Sequence, residues 1–372
     1  MRYRIHIPAL TNLWAPALCL ILAAGCSHEE PLDPPETETF SEIHFFSSAQ
    51  TRAAGNGLVS AAKVRIYPYH RKEGVTAPII ANGKDYTADA GGTTLTPAGS
   101  DEDAKNMILP AGTFGFYAIS TNSSDTEVPT FSTTANKGYP ENDKSNSSVA
   151  LANGIDYLHV ATEQTIKFGT EQNIPLHFKH AGTQVQLTIQ FGESACAETA
   201  DAAAGFAEAD VWVQQTNTEN AYMYLSDGQI RVGNNVGLPP LDCGSDANSL
   251  NADNMAKMPV VKDGSPASGS KIPANQIATY NMLPLASTGS PKMWVKVVIQ
   301  NLKVGDAAAT THTYTGKLDA SKGWNPGESN RYTLILKGNE IQFSNVTVED
   351  WTSGSTGMVG DVTDNNQSQT NP

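Results

Sequence analysis

Gln184-Val185-Gln186-Leu187-Thr188-Ile189-Gln190-Phe191 sets an apolar residue at every second position against a polar one. A strand points successive side chains to opposite faces, so this octet buries Val185, Leu187, Ile189 and Phe191 on one side and wets the other. A helix would scatter the same four around its circumference. Shorter stretches of the same period lie at Lys63 to Tyr67, Phe114 to Ser120, Ile174 to Lys179, Asp210 to Gln214, Trp294 to Gln300, Tyr332 to Lys337 and Ile341 to Val348. Gly338-Asn339 separates the last two and suits a two-residue hairpin. Pro110-Ala111-Gly112 turns the chain just before the Phe114 stretch.

Helical signals are few. The Ala-rich Cys196 to Glu208 predicts one short helix and Asp101 to Asn106 a single turn. The polar stretches Thr121 to Asn153 and Gly233 to Asn275 read as long loops. The expected architecture is all-β: two tandem antiparallel β-sandwiches over residues 40–170 and 171–352, then a polar tail over 353–372. Glu163-Gln164-Thr165 lies where a fresh group of strands is expected to begin.

Composition agrees with strands and turns. Of 372 residues, 31 are Gly and 21 Pro, while charged residues make up only 17%, against ~25% in ordinary soluble domains. The net charge of -14 argues against a nucleic-acid partner, which needs a basic face for phosphate.

The first 25 residues read as a processing signal rather than as part of the fold. Arg2 and Arg4 give a basic start, and Leu13 to Ala24 is apolar but far shorter than the ~20 residues of a membrane span. The run ends Leu22-Ala23-Ala24-Gly25-Cys26, which resembles a bacterial lipobox, with Ala23 where a bulkier residue is usual. That resemblance implies that Cys26 becomes an acylated N-terminus, its fatty chains (palmitate-like) holding the protein to the outer membrane. Residues 26–39 follow as a tether with Pro31, Pro34 and Pro35 and acidic Glu29, Glu30, Asp33, Glu36 and Glu38, a composition that stays extended. Once Cys19 and Cys26 are set aside, Cys196 and Cys243 remain. An oxidising compartment permits their pairing, and the sequence leaves a disulfide and two separate thiols both open.

Catalytic and metal-binding patterns are missing from the sequence. It has no phosphate-cradling Gly-Lys loop, no Gly-x-Ser-x-Gly and no His-Glu-x-x-His, so an enzyme is not expected, nor a cofactor. His177 and His180 fall on opposite faces of a strand and cannot share a metal. Asp246, Asn248, Asn251 and Asp253 lack the spacing of a calcium loop. Trp212, Trp294, Trp324 and Trp351 suit core or strand-end packing better than a sugar platform.

Several features then coincide in order: the lipoprotein start; Ile43-His44-Phe45-Phe46 followed by Thr51-Arg52-Ala53; Leu109-Pro110-Ala111-Gly112; Leu176-His177-Phe178-Lys179-His180-Ala181; and Trp324-Asn325-Pro326-Gly327 with Arg331-Tyr332 before Trp351. Together they resemble the fimbrillin family, subunits of type V pili in anaerobic Gram-negative bacteria. The resemblance implies two transthyretin-like β-sandwich domains and a surface lipoprotein precursor. It also implies an Arg-specific protease that cuts between Arg52 and Ala53, releasing a first strand over Phe40 to Ser47. A strand from another fimbrial subunit would fill the vacated groove, building a fimbrium that adheres to a host or bacterial surface receptor. On that first strand Ile43 and Phe45 share one face, His44 and Phe46 the other. Past Trp351, Gly354, Gly357 and Gly360 would weaken a donor strand, and the sequence leaves a donor strand and a frayed tail both open. The competing expectation is an outer-membrane lipoprotein of the same architecture that binds glycan and does not polymerise.

Overall fold

The computed structural model describes residues 40–49, 58–71, 83–101, 103–131, 148–192, 195–196, 209–337 and 340–350. The first half contains β1 (Phe40–Ala49), β2 (Lys63–His70), β3 (Lys84–Ala88), β4 (Thr94–Pro97), β5 (Met107–Pro110), β6 (Gly112–Ser120), β7 (Leu158–Ile166) and β8 (Gln172–His180). The second contains β9 (Thr183–Phe191), β10 (Ala195–Cys196), β11 (Asp210–Gln214), β12 (Ala221–Met223), β13 (Ile230–Val232), β14 (Asn235–Val236), β15 (Met255–Met258) and β16 (Val260–Asp263). It continues with β17 (Asn275–Met282), β18 (Lys292–Val304), β19 (Thr310–Asp319), β20 (Glu328–Lys337) and β21 (Glu340–Asp350). One 3-10 turn at Ala247–Ser249 accompanies them, so the described chain is all-β, as its periodicity requires.

In the first half the strands run β4-β3-β2-β6-β7-β8-β1, and a further pairing of β1 with β4 closes them into a seven-strand barrel-like ring. The expected sandwich of wholly antiparallel strands is corrected here twice. The sheet curls until its ends meet, and β1 runs parallel to β8. The ring encloses Ile43, Phe45, Val64, Ile66, Tyr86, Phe114, Phe116, Ile174 and Leu176, all buried.

In the second half the sheet β16-β17-β9-β20-β21 faces the sheet β10-β18-β11-β15, to which β19 adds along β18. The octet read first in the sequence is β9, and its burial alternates without a break along the strand. Val185, Leu187, Ile189 and Phe191 meet Val211, Val213, Val295, Val297 and Ile299 from the opposite sheet. Trp324 is fully buried at one end, its Nε1 donating to the Tyr332 hydroxyl at 2.9 Å, which itself donates to the Asp319 carbonyl at 3.0 Å. This half also contains a parallel pairing, β9 with β20, which the antiparallel expectation did not include. The hairpin expected at 338–339 is consistent with Lys337 lying opposite Glu340, although those two residues are outside the described ones.

The remaining expectations fall as follows. The stretch Gly233 to Asn275, read as a loop for its Asn, Asp, Ser and Gly content, contains β14, β15 and β16. Strand β8 belongs to the first ring, so the change of sheet falls after His180, about ten residues beyond the expected 170/171 boundary. Glu163-Gln164-Thr165 accordingly sits inside β7. The helix expected over Cys196 to Glu208 lies outside the described residues apart from Cys196, which is in β10.

Strands β2 and β6 are buried on both faces, which explains their loss of clean alternation. Their inner face lines the ring. Their outer face, with Tyr67, Tyr69, Tyr117 and Ile119, packs against Met223, Leu225, Ile230, Leu238 and Leu283 from the second half in a shared cluster. Polar groups also bond across this seam. His159 Nε2 lies 2.8 Å from the Leu225 carbonyl, and Asn153 Oδ1 accepts from the Leu283 backbone N–H at 2.9 Å and from the Thr216 hydroxyl at 2.8 Å. Burial lowers the His159 pKa to about 4, because the ring is fully enclosed and the charged form would lose its hydration.

Candidate assembly strand and its groove

Strand β1 is the closing member of the ring. One edge takes β5 along Phe40 to Ile43 and then β4 at Phe45 and Phe46, all antiparallel; the other takes β8 in parallel from Ile43 to Ala49. Among the described residues of the first half, no other strand serves three partners. Side chains tie it further, with the Ser41 hydroxyl donating to the Lys167 carbonyl at 2.6 Å and the Ser47 hydroxyl to that of Gly92.

Its two faces are those read from the sequence. Ile43 and Phe45 are fully buried. The Phe45 ring meets Tyr86 edge-on at 5.4 Å and Phe116 at 5.5 Å, geometry in which the positive ring edge approaches a negative face. Burial raises the Tyr86 phenol pKa, another sign of how dry this pocket is. On the outer face Glu42 is exposed, His44 half-buried, and Phe46 keeps 38% of its surface in water.

The energetic meaning of β1 follows from these contacts. Burying Ile43 and Phe45 stabilises the ring by about 1.5–3 kcal/mol each. Taking β1 away would expose both apolar pockets and leave the edges of β8, β4 and β5 with unpaired backbone donors and acceptors. An extended apolar segment is what such a groove accepts.

The other residues singled out in the sequence fall as follows. Cys26, Arg52 and Ala53 lie outside the described residues, as do Trp351 and the C-terminal tail. Arg65 and Arg71, on and just after β2, are both engaged in ion pairs. Arg65 forms a two-pronged pair with Asp85 at 2.6 and 2.7 Å, and Arg71 Nε reaches Glu163 at 2.7 Å. Cys196 and Cys243 are both free thiols. Cys196 pairs with Lys303 near one end of β18, while Cys243 lies against the Asn254 carbonyl, beside the Gln214 and Trp294 end. Nine strand residues at ~3.3 Å each separate those ends, far beyond disulfide reach.

His177 is exposed on β8 and His180 turns the other way to meet Asp156 at 2.7 Å, so the two do not converge. The Asp246 carboxylate accepts from the Asn248 backbone N–H at 3.0 Å and the Asn251 amide oxygen from the Asp253 N–H at 2.8 Å, local capping within the rejected calcium loop. Trp324 is core, as expected. Trp212 and Trp294 instead lie half-buried on the outer face of their sheet, with Lys257 and Lys296 over the first ring at 5.6 and 5.3 Å and Lys317 over the second at 4.3 Å. The partners of β1 were the part missed from sequence. β4 and β5 are four residues each, too short for periodicity to register, although Leu95, Met107 and Leu109 carry the buried signal.

The described chain is thus all-β, with a first strand that completes a ring on a buried Ile43 and Phe45. The fimbrillin-like family model matches residues 51–351, and the chain belongs to that family. No curated protein matches the sequence. Among solved structures, a candidate cell adhesion protein from Bacteroides ovatus shares the fold with a TM-score of 0.52 at 14% identity, over 85% of this chain and 99% of that one. A similar protein from Bacteroides uniformis aligns over 86% and 100% of the two chains with 16% identity and a TM-score of 0.48. The fimbrial anchor protein Mfa2 from Porphyromonas gingivalis aligns over 84% and 98% with 8% identity and a TM-score of 0.33.

Proposed function

We propose that the protein is the precursor of a fimbrial subunit, a non-enzymatic cell-surface component that assembles by strand exchange and supports adhesion. The observation that carries this is the position of β1: a first strand with a fully buried Ile43 and Phe45 completes the ring, and Arg52 follows it within three residues of its end. In this reading Cys26 is acylated and anchors the precursor in the outer membrane, and an Arg-specific protease cuts between Arg52 and Ala53. β1 leaves, and an extended segment of a neighbouring subunit takes its place against β8, β4 and β5. The facing sheets of the second half support a transthyretin-like reading there, with the closed ring of the first half a variant of it.

The test is the N-terminus of protein extracted from the cell surface, read by mass spectrometry together with oligomer ladders on unboiled gels. A chain beginning at Ala53 with ladders that vanish in Arg52→Ala is expected. Only chains beginning at acylated Cys26 would rule out cleavage-driven assembly. A second reading, a monomeric glycan-binding lipoprotein, draws on Trp212 and Trp294 with their lysines on one outer sheet face. It predicts monomers throughout and loss of glycan binding in Trp212→Ala.

A further inference from the structure

The outer face of β1 carries a set of side chains that neither its packing nor its proposed release explains. Glu42 and His44 are two apart on the strand and so share its outward face. Glu171 directly precedes β8, and the parallel register that sets Ile43 opposite Gln172 brings it alongside them. One ligand atom from each of the three lies within 4.8 Å of the others. The register of two neighbouring strands sets these three residues side by side on one face.

The imidazole supplies a separate observation. His44 Nε2 is withdrawn from solvent and has no hydrogen-bond partner, and the nearest Glu42 oxygen is 3.8 Å away, beyond hydrogen-bonding distance. A buried polar nitrogen left unsatisfied is costly unless something else meets it. A metal ion between that nitrogen and the two carboxylates would do so. Asn106 Nδ2 donates to Glu42 at 2.7 Å and lies 3.4 Å from His44 Nδ1. Nε2 binds a metal as the Nδ1–H tautomer, in which Nδ1 no longer accepts from Asn106 and the amide keeps its bond to Glu42.

We infer that Glu42, His44 and Glu171 form a binding site for a divalent transition-metal ion, zinc by its ligand chemistry. One imidazole and two carboxylates suit zinc, with a water completing four-coordination; calcium and magnesium prefer all-oxygen sets. Two ligands belong to β1 and one to the entry of β8, so the ion staples the strand to its parallel neighbour. The site stands on its own geometry. Only one consequence rests on the proposed maturation, namely that a chain beginning at Ala53 keeps Glu171 but loses Glu42 and His44, and with them the ion.

The uncleaved chain, stripped with EDTA and dialysed, is titrated with zinc chloride by calorimetry and melted with and without the ion. One zinc per chain is expected, with a melting temperature that climbs with zinc concentration as binding to the folded state requires. His44→Ala and Glu171→Gln should each weaken binding by about tenfold or more while melting in EDTA like the parent chain. Glu171 precedes its strand, so that variant keeps the test open should His44→Ala misfold. No zinc binding by the parent chain, or zinc binding unchanged in the variants, overturns the inference. Both outcomes are read on uncleaved protein, so neither depends on whether cleavage at Arg52 occurs.

Discussion

The two halves of the molecule use their first strands in the same way and commit to them differently. β1 and β9 each run parallel to a late strand of their own half, β8 and β20, and antiparallel to another, β5 and β17. β9 is locked into the chain at both ends, reached from β8 through Ala181-Gly182 and alternating buried and half-buried residues over its whole length. β1 stands at the start of the described chain with Phe40 and Phe46 partly in water, joined to the rest through a segment of small residues that includes Arg52. Under the proposed maturation the same structural position is permanent in one half and detachable in the other. What differs is the covalent connection and the outer face, since both strands bury comparable inner faces.

The sharpest way to break this comparison is to remove β1. In a chain starting at Ala53, hydrogen exchange should show lost protection at the amides of Gln172 to Phe178, apart from Pro175, while Ser329 to Leu336 on β20 stay protected. Loss of protection on β20 as well would mean that the halves unfold as one unit. Next in size, Phe45→Ala in the intact chain should cost about 3–5 kcal/mol in denaturant unfolding, and Leu187→Ala about 2–5. Only the second penalty should survive deletion of β1.

The seam offers a test of how the halves depend on each other. His159 has a folded-state pKa of about 4 against 6.5 when exposed, so the unfolded chain binds the proton more readily. Stability contributed by the neutral ring is therefore intact above pH 6.5 and declines as pH falls towards 4, by about 3 kcal/mol in all. Unfolding free energies measured across that window should show the decline, and His159→Gln should flatten it. Gly228→Ala attacks the same contact sterically. Its φ is +68°, and a Cβ there would sit 2.4 Å from His159 Cγ, so a loss of about 2 kcal/mol is expected in the same assay. The smallest effect belongs to Arg65→Ala, which removes a largely solvent-facing pair with Asp85 and should shift stability by less than about 1 kcal/mol.

What could be read beforehand follows from the range of the interactions. The faces of β1 and β9 were legible because alternation is local to the strand, and four apolar side chains at period two admit one burial pattern. The parallel pairings were not, since nothing in Ile43 or Val185 announces a partner more than a hundred residues away. β4 is four residues long with Gly91-Gly92 before it and Pro97 at its end, so turn chemistry obscured the strand. His159 reads as an ordinary polar residue. Only the fold sets the Leu225 carbonyl and the Gly228 backbone around it. Glu42, His44 and Glu171 are likewise unremarkable in the sequence, because the register of β1 on β8 is what assembles them.

The parallel pairing of β1 with β8 also has a mechanical side. A pull from the N-terminal end runs along the axis of β1, so its seven register pairs with β8 and four with β5 bear the load together, in shear. A strand peeled from its tip would give up the same bonds one after another. In the maturation proposed above, an uncut precursor held by its N-terminus would meet tension in the direction its first strand resists best.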